Sequence, residues 1–250
     1  MTDGCNKNCE FCLNDFQNKP LDNPTFVEPM LAIKAIETYA GFMKALGQTP
    51  VVTFSGGEPG IHPEVHAIVR YAKMVDAVTK VVTNGTAFFL TELHDAVDCW
   101  HISVNEIDRN LLDFIKRFPA NVQIQHVVQN HVKLWSLVKL VHFYGKNDLP
   151  MKLWIDFFAR AAEKKEIQSK IETVAKLFKN YEIRSRFTGK QENRGRACRD
   201  CKLNCVTLKA LWVFPDGTAS SCPQGVHRGG IVNSWIEVMK EAYVAHRWEE

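Results

Sequence analysis

What most constrains this chain is an alternation. From residue 28 to residue 179, stretches with apolar residues at helical spacing take turns with short apolar runs, and the links between them are brief. In 28–46, Leu31, Ile33, Ala35, Ile36, Tyr39, Phe42, Met43 and Leu46 recur on a helical period and Gly47 ends the run. The same period predicts helices at 62–74, 90–97, 108–118, 132–144 and 162–179, with strands at 51–55, 77–83, 100–105, 121–129 and 151–160. Strand–helix alternation with short links predicts parallel strands joined by right-handed crossovers. Counting the stub 1–4, there are six strands, too few to close an eight-stranded barrel.

Active sites on parallel α/β sheets gather where strands end and loops begin. The motifs of this chain fall at such places: Cys5–Cys12, Gly56–Pro59, Asn84-Gly85, Ser103 with Asn105, and Arg160. Period-2 alternation also sorts the strand faces. Thr53 and Ser55 share one face, as do His101, Ser103 and Asn105; Gln123, Gln125 and Gln129; and Lys152, Trp154, Asp156 and Arg160. The opposite faces are apolar, as in Val52 with Phe54, Ile102 with Val104, and Leu153, Ile155 and Phe157. A polar inner face fits a lumen that binds ligand.

Cys5, Cys9 and Cys12 stand at C-x3-C-x2-C spacing. Clustered thiolates select iron–sulfur clusters, zinc or copper. A [4Fe–4S] cube has four iron corners, so three thiolates on one loop leave one iron open to a small molecule. The alternative is zinc with a fourth ligand from elsewhere. Gly56-Gly-Glu-Pro59 follows a strand directly. Paired glycines let a ligand approach the backbone, and a carboxylate with carbonyls can accept from an ammonium group.

The cysteine spacing, with Phe11 just before Cys12, resembles the radical S-adenosylmethionine (radical SAM) superfamily. The resemblance implies a partial (β/α)6 TIM-like barrel over residues 1–180, with only the tail of its first strand in 1–4. It implies a [4Fe–4S] cluster on Cys5, Cys9 and Cys12 that binds S-adenosylmethionine (SAM) and cleaves it reductively. The 5′-deoxyadenosyl radical then abstracts hydrogen from a substrate. By the same resemblance Phe11 lies against the adenine and Gly56, Gly57, Glu58 and Pro59 hold the SAM amino group. Asn84 shapes the methionyl site, Ser103 and Asn105 take the ribose, and Arg160 pairs with the carboxylate. A reducing partner such as flavodoxin or ferredoxin is expected.

Residues 181–197 turn polar and basic, with Arg184, Arg186, Lys190, Arg194 and Arg196, and read as a linker able to guide an anionic substrate or leader segment. Residues 198–250 are organised differently. They hold a hairpin around Pro215-Asp-Gly217 and an amphipathic helix at 234–248. Cys198, Cys201, Cys205 and Cys222 can cage a metal centre. This part resembles the SPASM/twitch extension, which implies a second, auxiliary [4Fe–4S] cluster; zinc is the alternative. Cys99 reads as a buried, inert thiol just before a strand.

Composition bounds the rest. The 250 residues suit one substantial α/β domain with a small appendage. Lys+Arg 31 against Asp+Glu 28 gives no push toward nucleic acid or membrane. Eight cysteines in groups of three and four, with one left over, are unlike a secreted disulfide scaffold, so a reducing cytoplasm is expected. SPASM/twitch relatives commonly modify peptides or proteins, which makes a peptide or protein side chain the expected substrate, with an open groove along 184–196. A small molecule such as a sugar, alcohol or nucleotide would instead need a closed lumen with Gln123, Gln125 and Asp156 reading hydroxyls. A non-enzymatic zinc module is a distant third.

Overall fold

Helix α1 (Pro29–Ala45) starts where Glu28 caps it. The Glu28 carboxylate accepts from the backbone N–H groups of Met30 and Leu31, and Pro29 stands where no N–H is needed. The structure is a computed structural model that describes residues 1–12, 23–86, 92–117, 121–156, 158–185 and 212–220. After α1 come strands β1 (Val51–Phe54), β2 (Val78–Thr83), β3 (Cys99–Ser103), β4 (Val122–Val128), β5 (Met151–Ile155) and β6 (Ile183–Ser185). They form one six-stranded sheet in sequence order, every neighbour parallel. Helices α2 (Val65–Met74), α3 (Arg109–Arg117), α4 (Leu134–Gly145) and α5 (Ala161–Leu177) make crossovers. This is the expected α/β fold, a parallel partial barrel. Among the described residues no helix is long and apolar enough to cross a membrane.

The strand alternation decides which face meets the helices. On β4, Val122, Ile124, His126 and Val128 are buried while Gln123, Gln125 and Val127 are half-buried. The buried set joins Ile68 and Val69 of α2, Leu137 and Val141 of α4, and Ile167 and Ile171 of α5 in one core. The half-buried set is the inner face of the partial barrel.

Four local expectations are corrected. The sixth strand is Ile183–Ser185, which the composition assigns to the basic linker; it earns its place by pairing, with Met151 opposite Ile183 and Lys152 opposite Arg184. The last predicted strand stops at Ile155, because the Asp156 carboxylate turns back to accept from the Phe158 N–H. The helix predicted at 90–97 is a series of turns over 92–97. Leu93, Ala96 and Val97 are buried as a helix face would be, but Thr79 Oγ1 donates to the Ala96 carbonyl and Asp98 accepts from the Thr79 N–H, which clamps the backbone in another shape. Cys99 is the first residue of β3 and only half-buried, on the inner face.

The stub 1–4 forms no regular strand, but it is docked on both sides. Thr2 bridges Phe26 in antiparallel fashion. The backbone N–H groups of Gly57 and Glu58 donate to the carbonyls of Thr2 and Gly4 at 2.7 and 2.8 Å. Beyond the barrel, β7 (Trp212–Val213) and β8 (Ala219–Ser220) make the predicted hairpin, its turn closed by Gly217 at φ +80°. Cys198, Cys201, Cys205, Cys222 and the helix expected at 234–248 lie outside the described residues.

Candidate active site

The cysteine loop sits where the docked stub ends. Cys5, Cys9 and Cys12 are half-buried free thiols, and the Cys12 N–H donates to the Cys9 carbonyl at 3.0 Å, closing a tight turn. Two side-chain amides reach the sulfurs from neighbouring strand ends. Asn84 Nδ2, just after β2, lies 3.7 Å from Cys5 Sγ, and Asn105 Nδ2, just after β3, lies 3.9 Å from Cys9 Sγ. Lys7, between the first two cysteines, donates to the Asn84 carbonyl at 3.1 Å. Burial pushes the Cys5 thiol above its usual range, and the Glu58 charge adds to this; the Lys7 N–H and the Asn84 amide work the other way.

These residues fit an iron–sulfur cluster. Thiolates carry negative charge, and here amide donors are aimed at two of them. Among the described residues no three His, Cys, Asp or Glu side chains group as ligands of a single metal ion. A cubane that gives each thiolate its own iron does not require such convergence.

The Gly56–Pro59 turn packs closely against the chain's own stub. A Cβ on Gly57 would stand 1.8 Å from the Gly4 carbonyl oxygen, and one on Gly56, where φ is +138°, 2.4 Å from that of Thr2. The two glycines therefore admit the chain's own stub. Glu58 is fully buried and turned inward. Its carboxylate accepts from Thr83 Oγ1 at 2.7 Å, the Asn84 N–H at 2.8 Å and the Gly60 N–H at 3.2 Å. It is a strut between β1 and β2, and Asn84 is positioned by it. Pro59, also buried, opens the 3-10 turn Pro59–Ile61.

Glu58 carries a prediction. Burial is the largest influence on it and pushes its carboxyl above the ordinary value, against the Asn84 N–H, the Thr83 hydroxyl, the Gly60 N–H and the Lys7 charge. The folded chain then holds this proton more tightly than the unfolded chain. The associated stability is present below the unfolded value, about 4.3, and is lost as pH rises through the folded one. Glu58→Gln abolishes that loss, yet it turns an amide N–H toward the Asn84 N–H. At neutral pH the variant is expected to be less stable by about 2 kcal/mol. Urea unfolding at several pH values checks both; wild-type stability at neutral pH would refute the strut.

The other predicted residues divide. Phe11 is half-buried beside Cys12, and Ser103 is half-buried on the inner face at the end of β3. Asn105 reaches a cysteine sulfur. Arg160 does not join them: it is exposed at the start of α5 and paired with Glu163 at 2.8 Å. Sequence reasoning passed over Lys7, Thr83 and Lys80. The alternation of β2 carries the signal for Lys80, which stands on the same face as Val78 and Val82.

The radical SAM superfamily model matches residues 1–158. The chain belongs to the radical SAM superfamily. Among curated relatives, it is 30% identical over 153 residues to a probable GTP 3',8-cyclase of Pyrococcus abyssi, covering 59% of this chain and 47% of that one. It is 24% identical over 149 residues to an S-adenosylmethionine-dependent nucleotide dehydratase of Flammeovirga pacifica, covering 56% and 47%. The chain thus spans about half the length of these relatives. Among solved structures, Streptococcus suis SuiB bound to S-adenosylmethionine matches with a TM-score of 0.69 at 11% identity, over 94% of this chain and 64% of that one. At that identity the likeness carries the fold alone. The family implies SAM and a [4Fe–4S] cluster as cofactors, together with a reductant.

Proposed function

We propose that this radical SAM chain abstracts hydrogen from a small, anionic substrate held on the inner face of its partial barrel, with Cys5, Cys9 and Cys12 as the cluster ligands. The observation that carries this reading is the junction of cysteine loop and inner face: Asn84 and Asn105, at the ends of β2 and β3, touch the cluster thiols. A reactive species made at that loop opens onto the polar face of the same strands. The cluster and SAM supply the chemistry, reductive cleavage of SAM to a carbon radical. The chain's residues hold the loop, orient the thiols and keep substrate close, where proximity is worth most.

A peptide or protein side chain, the substrate expected from the sequence, becomes the second reading; SuiB has also been solved with its precursor peptide SuiA. Two features favour the small molecule. Arg184, expected along an open peptide groove, is instead a member of the sheet. The curated relatives are named for nucleotide chemistry. The hydroxyl-reading residues differ from expectation, since Gln125 is engaged with His101 and Asp156 with the Phe158 N–H.

We also propose an auxiliary cluster on Cys198, Cys201, Cys205 and Cys222, with zinc as the alternative. One experiment tests both proposals: anaerobic reconstitution, iron counting and dithionite-driven 5′-deoxyadenosine formation. About eight irons per chain with SAM cleavage supports two clusters, and about four with cleavage leaves only the first. No cluster and no cleavage overturns the assignment of Cys5, Cys9 and Cys12.

A further inference from the structure

The inner face of the barrel gathers positive charge. Lys80 on β2 stands laterally beside Thr53 and Cys99. Lys152 on β5 stands between Gln125 and Arg184. Lys80 and Lys152 are half-buried. Among the described residues no carboxylate pairs with Lys80, while Arg184 pairs with Glu182 at the exposed edge. Lys152 Nζ lies 4.1 Å from the centre of the Trp154 ring.

The charges act on one another's neighbours. His101, on β3 between these strands, is held below its ordinary protonation range by burial first and then by Lys152 and Lys80. Burial raises the Cys99 thiol, and the Lys80 and Arg184 charges act against that rise. Three cations from three strands thus share one region of the inner face. Gln125 Nε2 lies 2.6 Å from His101 Nδ1. An amide nitrogen only donates, so Nδ1 accepts and the imidazole keeps its proton on Nε2 as a further donor.

Among the described residues Lys80 is half-buried with no carboxylate beside it, while Lys152 leans on the Trp154 ring and Arg184 on Glu182. Lys80 and Lys152, both half-buried on this face, repel one another and are costly to desolvate. Where a sequence breaks local consistency, a functional site is the usual cause. We propose that the inner face between β2, β5 and β6 binds a phosphate-bearing substrate through Lys80, Lys152 and Arg184, with His101 as an added donor. Lys80, on β2, precedes Asn84, just past its end, by four residues, about 13 Å at the rise of a strand. A molecule anchored by its phosphates at the cations and extending along the strands places its other end at the cysteine loop. The sugar–phosphate part of a nucleotide has that reach. The inference rests on the small-substrate reading above.

Thermal unfolding of the full chain with inorganic tripolyphosphate tests it. Binding to the folded state raises the melting temperature saturably, and chloride at matched ionic strength does not. Lys80→Met is expected to melt no lower than wild type without the anion, because a half-buried charge with no carboxylate beside it is removed, whereas Lys152→Met also gives up the contact with the Trp154 ring. Each is expected to weaken tripolyphosphate binding by about tenfold or more. Lys139→Met, at an exposed residue of α4 on the outer side, is expected to leave binding unchanged. A nucleoside triphosphate that shifts the melt further than tripolyphosphate identifies a nucleotide; an equal shift assigns binding to the phosphates alone. No saturable shift, or an undiminished shift in both inner-face variants, overturns the proposal. So does a tighter complex with an acidic peptide of equal charge. SAM cleavage by dithionite does not need this anion, so failure here leaves the radical assignment standing.

Discussion

Replacing Gly57 with alanine is expected to strip the chain of its first cluster and to destabilise the fold. The new Cβ would fall 1.8 Å from the Gly4 carbonyl oxygen and 2.5 Å from its carbon. Those are backbone atoms, so no side chain can swing aside. Relief requires residues 1–4 to withdraw from the sheet edge, which breaks the Gly57 N–H bond to Thr2 and the Glu58 N–H bond to Gly4. Two lost hydrogen bonds at about 1 kcal/mol each, with an overpacking cost of about 1–3 kcal/mol, give about 3–5 kcal/mol. That is a large share of the stability of an ordinary domain. Cys5 follows Gly4 directly, so the loop loses its mooring. Iron content after reconstitution and the urea midpoint should fall together. A variant with normal iron and stability but weakened SAM binding would show that Gly57 instead makes room for the ligand.

Cys12→Ala is expected to separate what Gly57→Ala joins. The Cys12 N–H still donates to the Cys9 carbonyl, because alanine keeps its backbone donor. Cys12 is half-buried, away from the core around Ile68 and Ile124. Stability should therefore stay within about 1 kcal/mol of wild type. Without the third thiolate, the first cluster should not assemble, and 5′-deoxyadenosine formation should fall to the background of the cluster-free chain. Retained cleavage would remove Cys12 from the ligand set. Together the two variants distinguish a loop that cannot be placed from a loop that is placed but short of one ligand.

Much of the barrel was legible because burial imposes a period. On β2 the buried residues Thr79, Val81 and Thr83 alternate with Val78, Lys80 and Val82, and α5 repeats Ile167, Ile171 and Val174 at helical spacing. Such periods survive in one dimension. The turns at 92–97 were not legible, because Leu93, Ala96 and Val97 satisfy a helical period while Thr79, 17 residues before Ala96, sets the backbone together with Asp98. Ile183–Ser185 carries too little pattern to be seen. Its strand character comes from β5, which supplies the hydrogen-bonding partner.

The site divides along the same line. Chemistry that depends on residue type and close spacing was open to reading: three thiols on one loop, a paired-glycine turn after a strand, a hairpin at Pro215–Gly217. These are local, and local spacing is what a chain writes directly. Which atoms meet across strands was settled only in three dimensions. Asn84 and Asn105 lie 79 and 96 residues from the cysteines they touch. Glu58 looks like a ligand group in one dimension, yet its oxygens are taken by Thr83, Asn84 and Gly60. Lys80, Lys152 and Arg184 are scattered along the chain and become neighbours of one inner face because parallel strands bring distant residues into register. A sequence specifies each strand's period, but the side chains opposed across a sheet depend on strand order and register, which the packed structure alone decides.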